Sequence, residues 1–396
     1  QPAIDSNTAD WRHAVQSQER RLGPIKTGAG PVRGGGPLSG LQAIARATSF
    51  TTAGAIIRIP LVHSGIWVTI KAPTDGELLE IERRIASDRA TFGRLTGGRV
   101  FAQSDVITKS HLIALAMRHI VDSTYPDGNA DLRDVIKITD LPHLLTGLAL
   151  SIYPAGFPLS RACVADPEHC THVQRGEISI SKLLRYNNNR FTEKQRQFLA
   201  RNQTRVTQLE INAYLEDFTS DGADVYAHND EVLFTYKTPS LNEYLLMGTQ
   251  WVTGLESSVD QAFGADITAD ERNELITEKA NATALRQYSH WLERITYRSK
   301  DGDDNVVEDR EALFETLERF SSDEKLAKSF HEGISRYINR VTVAIVGLPT
   351  WICPVCKNRQ PGGEGEWERL IGIEAATVFF TILSRRVSLV RRRVGI

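Results

Sequence analysis

The sequence predicts a mainly α-helical protein with small β elements, an α+β chain, and three observations predict it. Two β-rich runs, Ile56–Leu61 and Ile66–Lys71, flank the turn residues His63-Ser64-Gly65. From Thr192 to Val346 apolar residues recur mostly at helical spacing, with one strand-like run at Val232–Tyr236. The four cysteines fall into two short-range pairs, Cys163/Cys170 and Cys353/Cys356, which can clip the middle of the chain to its C-terminal segment.

In chain order, residues 1–54 read as an extended arm. Gly28-Ala29-Gly30-Pro31, Gly34-Gly35-Gly36-Pro37 and Gly40 cannot hold regular structure and offer little to bury. Such a segment either orders along a partner or remains a tail without a role.

From residue 55 the two β runs form a hairpin, and Thr74-Asp75-Gly76-Glu77 reads as a capping box. The helix it opens carries Leu78, Ile81 and Ile85 on one face and Glu80, Glu82, Arg83 and Arg84 elsewhere. A second helix is expected over about 105–123, with His111 and His119 on its surface. Asp140-Leu141-Pro142 opens a strongly apolar helix through Leu150 that ends near Tyr153-Pro154-Ala155-Gly156.

Residues 176–346 are expected to be a helical domain. Thr192 caps a long helix bearing Phe198, Leu199, Val206, Leu209 and Leu215. Ser240 starts another, running to about Phe263. Further helices are expected over 269–297, 308–320 and 322–346. The acidic turn at Asp301 has Ala312 where a calcium loop needs its twelfth-position glutamate, so it reads as a solvated turn. Residues 347–396 add the second cysteine pair, a helix over 368–383 and a basic tail with five arginines between Arg385 and Arg393.

The second pair stands in Trp351-Ile352-Cys353-Pro354-Val355-Cys356, a Cys-x-x-Cys turn that can grip one ion from two sides. The first pair is more widely spaced, and His169 or His172 are rivals for one of its places. Two disulfides, or four unrelated thiols, are the other readings. One structural zinc ion held by Cys163, Cys170, Cys353 and Cys356 is the expectation taken forward.

A net charge of −2 over 396 residues argues against a protein that coats nucleic acid or anionic membrane as a whole. Four cysteines in so long a chain are too few for a disulfide framework, which suggests folding in a reducing compartment. The apolar run Ala375–Leu383 is too short to span a bilayer. No Walker loop, dinucleotide fingerprint, His-Glu-x-x-His or Gly-x-Ser-x-Gly occurs, so no enzyme activity is expected.

Several stretches between Ile59 and Cys170 carry a resemblance. They are Ile59-Pro60-Leu61-Val62-His63-Ser64-Gly65-Ile66-Trp67, the helix start Glu77-Leu78-Leu79, Ile138-Thr139-Asp140-Leu141-Pro142-His143 and Tyr153-Pro154-Ala155-Gly156-Phe157. In this order, ending in a cysteine knuckle, they resemble the baseplate hub and assembly proteins of contractile-tailed bacteriophages. The pattern covers little more than a quarter of the chain. It departs from the family in the spacing of Cys163 and Cys170, the late Cys-Pro-x-Cys and the long helical continuation.

The resemblance implies that residues 55–175 form a baseplate-like α+β domain. It also implies a structural subunit of the tail baseplate, acting through contacts with other tail proteins in a symmetric assembly. Its location would be the virion, after assembly in the host cytoplasm. Two alternatives stand beside this: a zinc-stapled nucleic-acid-binding protein using the Arg385–Arg393 tail, and an assembly chaperone absent from the finished particle.

Overall fold

The computed structural model describes residues 54–84, 101–163, 168–201, 205–219, 225–229, 231–264, 267–299, 304–349, 351–358, 370–372 and 374–394. The expected arm, apart from Gly54, and Asp301–Asp303 of the acidic turn lie outside them.

The expected hairpin is present. Strand β1 (Ile56–Leu61) pairs antiparallel with β2 (Ile66–Lys71), in register from Ile56 opposite Lys71 to Leu61 opposite Ile66. Gly65 closes the turn at φ +68°, a conformation that costs glycine little. Helix α1 (residues 75–84) starts on the expected box, with the Thr74 N–H donating to Glu77 Oε2 at 2.9 Å and the Glu77 N–H to Thr74 Oγ1 at 3.2 Å.

Helix α2 (Phe101–His119) stops earlier than expected, because Ile120–Ser123 becomes strand β3 and pairs with β2. Its backbone fills the free edge of β2, and two β-branched residues suit that role better than another helical turn. His119 is not a surface histidine: it is 7% exposed and its Nε2 lies 3.3 Å from Glu77 Oε1.

The apolar helix α3 (Leu141–Ile152) lies across this sheet. Gly147 permits the close approach, since a Cβ there would stand 2.6 Å from Ile70 Cδ1. The chain then makes a second hairpin, β4 (Phe157–Ala162) with β5 (Val173–Ile178), followed by the short strand β6 (Leu184–Tyr186).

The region expected to be helical is interrupted more often than periodicity suggests. Thr192 and Gln195 form a full capping box, but α4 (Glu193–Ala200) and α5 (Gln208–Thr219) are separate helices. The expected strand at Val232 is one of four, β7 (Val225–His228), β8 (Val232–Tyr236), β9 (Leu292–Tyr297) and β10 (Asn305–Val307), in the order β10-β9-β8-β7.

Helix α6 (Leu241–Phe263) starts on a Ser240/Glu243 box. Helix α7 (Ala269–Ala282) ends before the expected 297, and a 3-10 stretch over Ala284–Trp291 leads into β9. Leu292 and Ile295 point into the core from β9, where pairing with β8 overrides the helical period.

Asp309 caps α8 (Arg310–Ser321), and Asp323 caps α9 (Glu324–Val341). Phe330, Ile334, Tyr337 and Val341 form the buried stripe of α9 at helical spacing. The helix ends short of 346, because Ala344–Pro349 forms β11, sandwiched between β6 and β12 (Leu370–Gly372). The last helix, α10 (Ala375–Val394), starts later than expected and runs through the arginine-rich tail. Arginine is a good helix former, and Phe379, Ile382, Leu383 and Val387 give α10 a buried face that continues into the basic stretch.

The structure is therefore α+β, with small antiparallel sheets set among helices. One core cluster runs from Ile57 to Val387, and a smaller one around Trp251 joins α6 to α7. No helix among the described residues is long and apolar enough to cross a membrane.

Candidate metal centre

Two local structures meet at the four cysteines. The β4–β5 hairpin supplies the first pair: Cys163 follows β4, and its N–H donates to the His172 carbonyl at 2.8 Å, while Cys170 lies on the returning side. After β11 the chain forms the second half-site. The Cys353 N–H donates to the Asn358 carbonyl at 3.0 Å, and the Lys357 N–H to the Cys353 carbonyl at 2.9 Å. Lys357 takes φ +60° to close this knuckle.

The sulfurs come together as the sequence led us to expect. Cys163 Sγ is 3.6 Å from Cys356 Sγ, and Cys170 Sγ is 3.7 Å from Cys353 Sγ. All four sulfurs lie within 4.8 Å of one another. A disulfide would need about 2.05 Å, so neither contact is one. A tetrahedron with metal–sulfur bonds of about 2.3 Å has edges of about 3.8 Å. The observed contacts match such an edge, so the four residues fit a tetrahedral metal ion.

Cys163, Cys170 and Cys353 are buried and Cys356 is half-buried. His169 and His172 are outside the cluster, and the ring of His172 packs 6.1 Å from Trp351.

The electrostatics favour a thiolate at Cys353 alone among the three thiols that shift. Burial opposes ionisation of Cys353, but the N–H groups of Cys356 and Val355, aimed at its sulfur, bring it down to about 7. The N–H groups of His172 and Asn358 serve Cys170 and Cys356 in the same way. Against them, burial and the neighbouring thiols push Cys170 up and Cys356 up to about 12. The protein alone thus readies one thiolate, and a cation must displace protons from the rest.

A second titratable cluster went unrecognised in the sequence. His63, Asp140 and His143 are buried together. Asp140 Oδ1 accepts the His63 backbone N–H at 3.0 Å and contacts His63 Nδ1 at 2.8 Å, while Oδ2 accepts the Ser64 hydroxyl at 2.6 Å. The Val343 N–H donates to His63 Nε2 at 3.2 Å. That bond assigns the ring proton to Nδ1, where it faces Asp140.

A metal on Nδ1 would force a proton onto Nε2, against the Val343 N–H. The cluster therefore reads as a polar brace and not a metal site. Burial opposes ionisation of Asp140, but its His63 and Ser64 partners hold its carboxyl below the ordinary value. Nor is it a hydrolytic triad, because Ser64 donates to the carboxylate while His63 Nε2 is occupied by backbone. The available sequence signals were a histidine and a serine in a hairpin turn and an Asp/His pair three residues apart on an apolar helix.

No protein-family model, no curated protein and no solved structure matches this chain.

Proposed function

We propose that this chain is a non-enzymatic structural subunit of a bacteriophage contractile-tail baseplate, working through contacts with other tail proteins. The observation that carries the reading is the four-cysteine cluster. It is a closed, largely buried set of ligands that braces the β4–β5 hairpin against the segment after β11, with no open coordination position for a substrate. Zinc is the ion we assign, since four thiolates at tetrahedral spacing suit a soft, redox-silent dication. The Ser64–Asp140–His63 arrangement supports the non-enzymatic reading, because its hydrogen bonds leave no activated nucleophile.

The stretches that resemble baseplate proteins supply the β1–β2 hairpin, α1, α3 and the Cys163 hairpin, parts of a rigid body suited to holding neighbours. A nucleic-acid role for the arginine tail is weakened by the pairing of Arg386 with Asp75 and Arg391 with Glu82. Phosphates would have to displace both carboxylates.

The test is quantitative mass spectrometry of purified particles, together with assembly in cells lacking the gene product. The expected result is the chain present in the baseplate and no contractile tails without it. A chain required for assembly but absent from particles would be an assembly chaperone. Particles that form normally without it would overturn the proposal, as would turnover of glycan, peptide or nucleotide lost on a single carboxylate substitution.

A further inference from the structure

A cleft of about 710 Å³ opens between the β1–β2 turn, the start of α6 and the buried face of α9. Leu215, Phe218 and Val341 make part of its wall apolar, and Lys137, Lys237 and Glu243 line it as well. The volume is in the range of small-molecule sites.

Lys137 is the cleft lysine without a direct ion pair among the described residues. Its backbone N–H is anchored on Ser64 Oγ at 2.8 Å, but its ammonium makes no ion pair or hydrogen bond among the described residues. Glu243 acts on it only through its charge and makes no direct ion pair with it. Oε1 of Glu243 takes Lys237 and lies 3.8 Å from Arg310, and Oε2 accepts the Ser240 N–H at 2.9 Å. Three cations thus converge on one carboxylate whose oxygens are already engaged. Burial lowers the pKa of Lys137 first; the Glu243 charge opposes this, the Lys237 charge adds to it, and the Asp140 charge again opposes it, leaving the net shift downward. A partly desolvated ammonium without a hydrogen-bonded carboxylate is costly, and a directly bound anion would lower that cost.

We propose that this end of the cleft binds a single anionic group, a carboxylate or phosphate, carried on an apolar body that lies against Leu215 and Phe218. Asp134 and Glu293 also line the cleft, and their charge excludes a polyanion. The same chemistry is offered by a free small acid and by an acidic side chain of a partner protein. The proposal does not depend on the baseplate reading.

The test is calorimetric titration of the full metal-loaded chain with 1-naphthoate, 1-naphthyl phosphate and, as the neutral probe, naphthalenemethanol. At least one anionic probe should bind saturably, at least tenfold more tightly than the neutral one, and weaken as salt is raised. Lys137→Met should weaken anion binding at least tenfold. Competition by a short blocked Ala-Phe-Glu peptide, which carries one carboxylate, identifies a protein side chain as the source, and competition by free small acids alone identifies a metabolite. Anionic and neutral probes binding alike, no binding of either anion, or unchanged affinity in a folded Lys137→Met protein would each overturn the proposal. The comparison of probes on the unaltered chain decides the matter if that variant does not fold.

Discussion

Arg386 holds Asp75 through two parallel hydrogen bonds, Nε to Oδ1 at 2.7 Å and Nη2 to Oδ2 at 3.1 Å, joining positions 311 residues apart. The pair ties the last helix to the first turn of α1, and its side chains are 17% and 23% exposed. Bidentate, partly desolvated pairs of this kind exceed ordinary surface salt bridges.

Arg386→Ala should therefore lower stability by about 1–2 kcal/mol. Arg386→Lys should recover little of it, since an ammonium cannot reproduce the fork. A double-mutant cycle with Asp75→Asn in urea unfolding measures the coupling, and strict additivity would show that the pair contributes nothing.

Metal content is the second expectation. Protein kept reducing throughout should carry about one equivalent of zinc per chain by elemental analysis. Cys353→Ser should lose the metal and destabilise strongly, because ion binding at such a site is part of the folding free energy. A folded protein that contains no metal while all four thiols titrate freely would disprove the site.

The third expectation concerns acid. His143 is fully buried, and desolvation lowers its pKa from 6.5 to about 3; His290 is lowered likewise. Between those pH values the unfolded chain binds a proton at each site that the native chain refuses, so stability falls as pH falls. Each group adds a slope of about 1.4 kcal/mol per pH unit. His143→Phe should remove about one such slope between pH 6 and 4, read from urea midpoints across that range. Parallel profiles for the two proteins would refute the assignment.

Fourth, position 65 of the hairpin turn should tolerate no side chain. Gly65 has φ +68°, and a Cβ there would stand 2.8 Å from Tyr214 Cδ1, on a ring whose hydroxyl donates to the Val62 carbonyl. Gly65→Ala should cost about 1–3 kcal/mol, combining backbone strain with displacement of Tyr214. Chemical denaturation measures it, and a change below a few tenths of a kcal/mol would contradict the packing described.

Local chemistry was legible in the sequence where both partners are close along the chain. The Thr74/Glu77 and Thr192/Gln195 boxes, the β1–β2 hairpin and the Cys-x-x-Cys turn all depend on residues a few positions apart. What escaped depends on distant partners. Ile120-Val121 continues the periodicity of α2 until β2 claims it, and Leu292–Tyr297 reads as helix until β8 lies beside it. The cysteine cluster was the exception, because thiols are scarce enough to be paired by counting. No comparable scarcity marked His63, whose decisive partner, the Val343 N–H, is 280 residues away.

The cysteine cluster also sets an order of events during synthesis. Cys170 and Cys353 are 183 residues apart, so at ordinary rates of synthesis roughly 10–40 s pass between their emergence from the ribosome. Throughout that interval the β4–β5 hairpin holds two thiols with no mates from the other half-site. A chain truncated before Cys353 can never complete the tetrahedron. An ion held there would be loaded only once synthesis has passed Cys356, and shorter chains would keep two loose thiols.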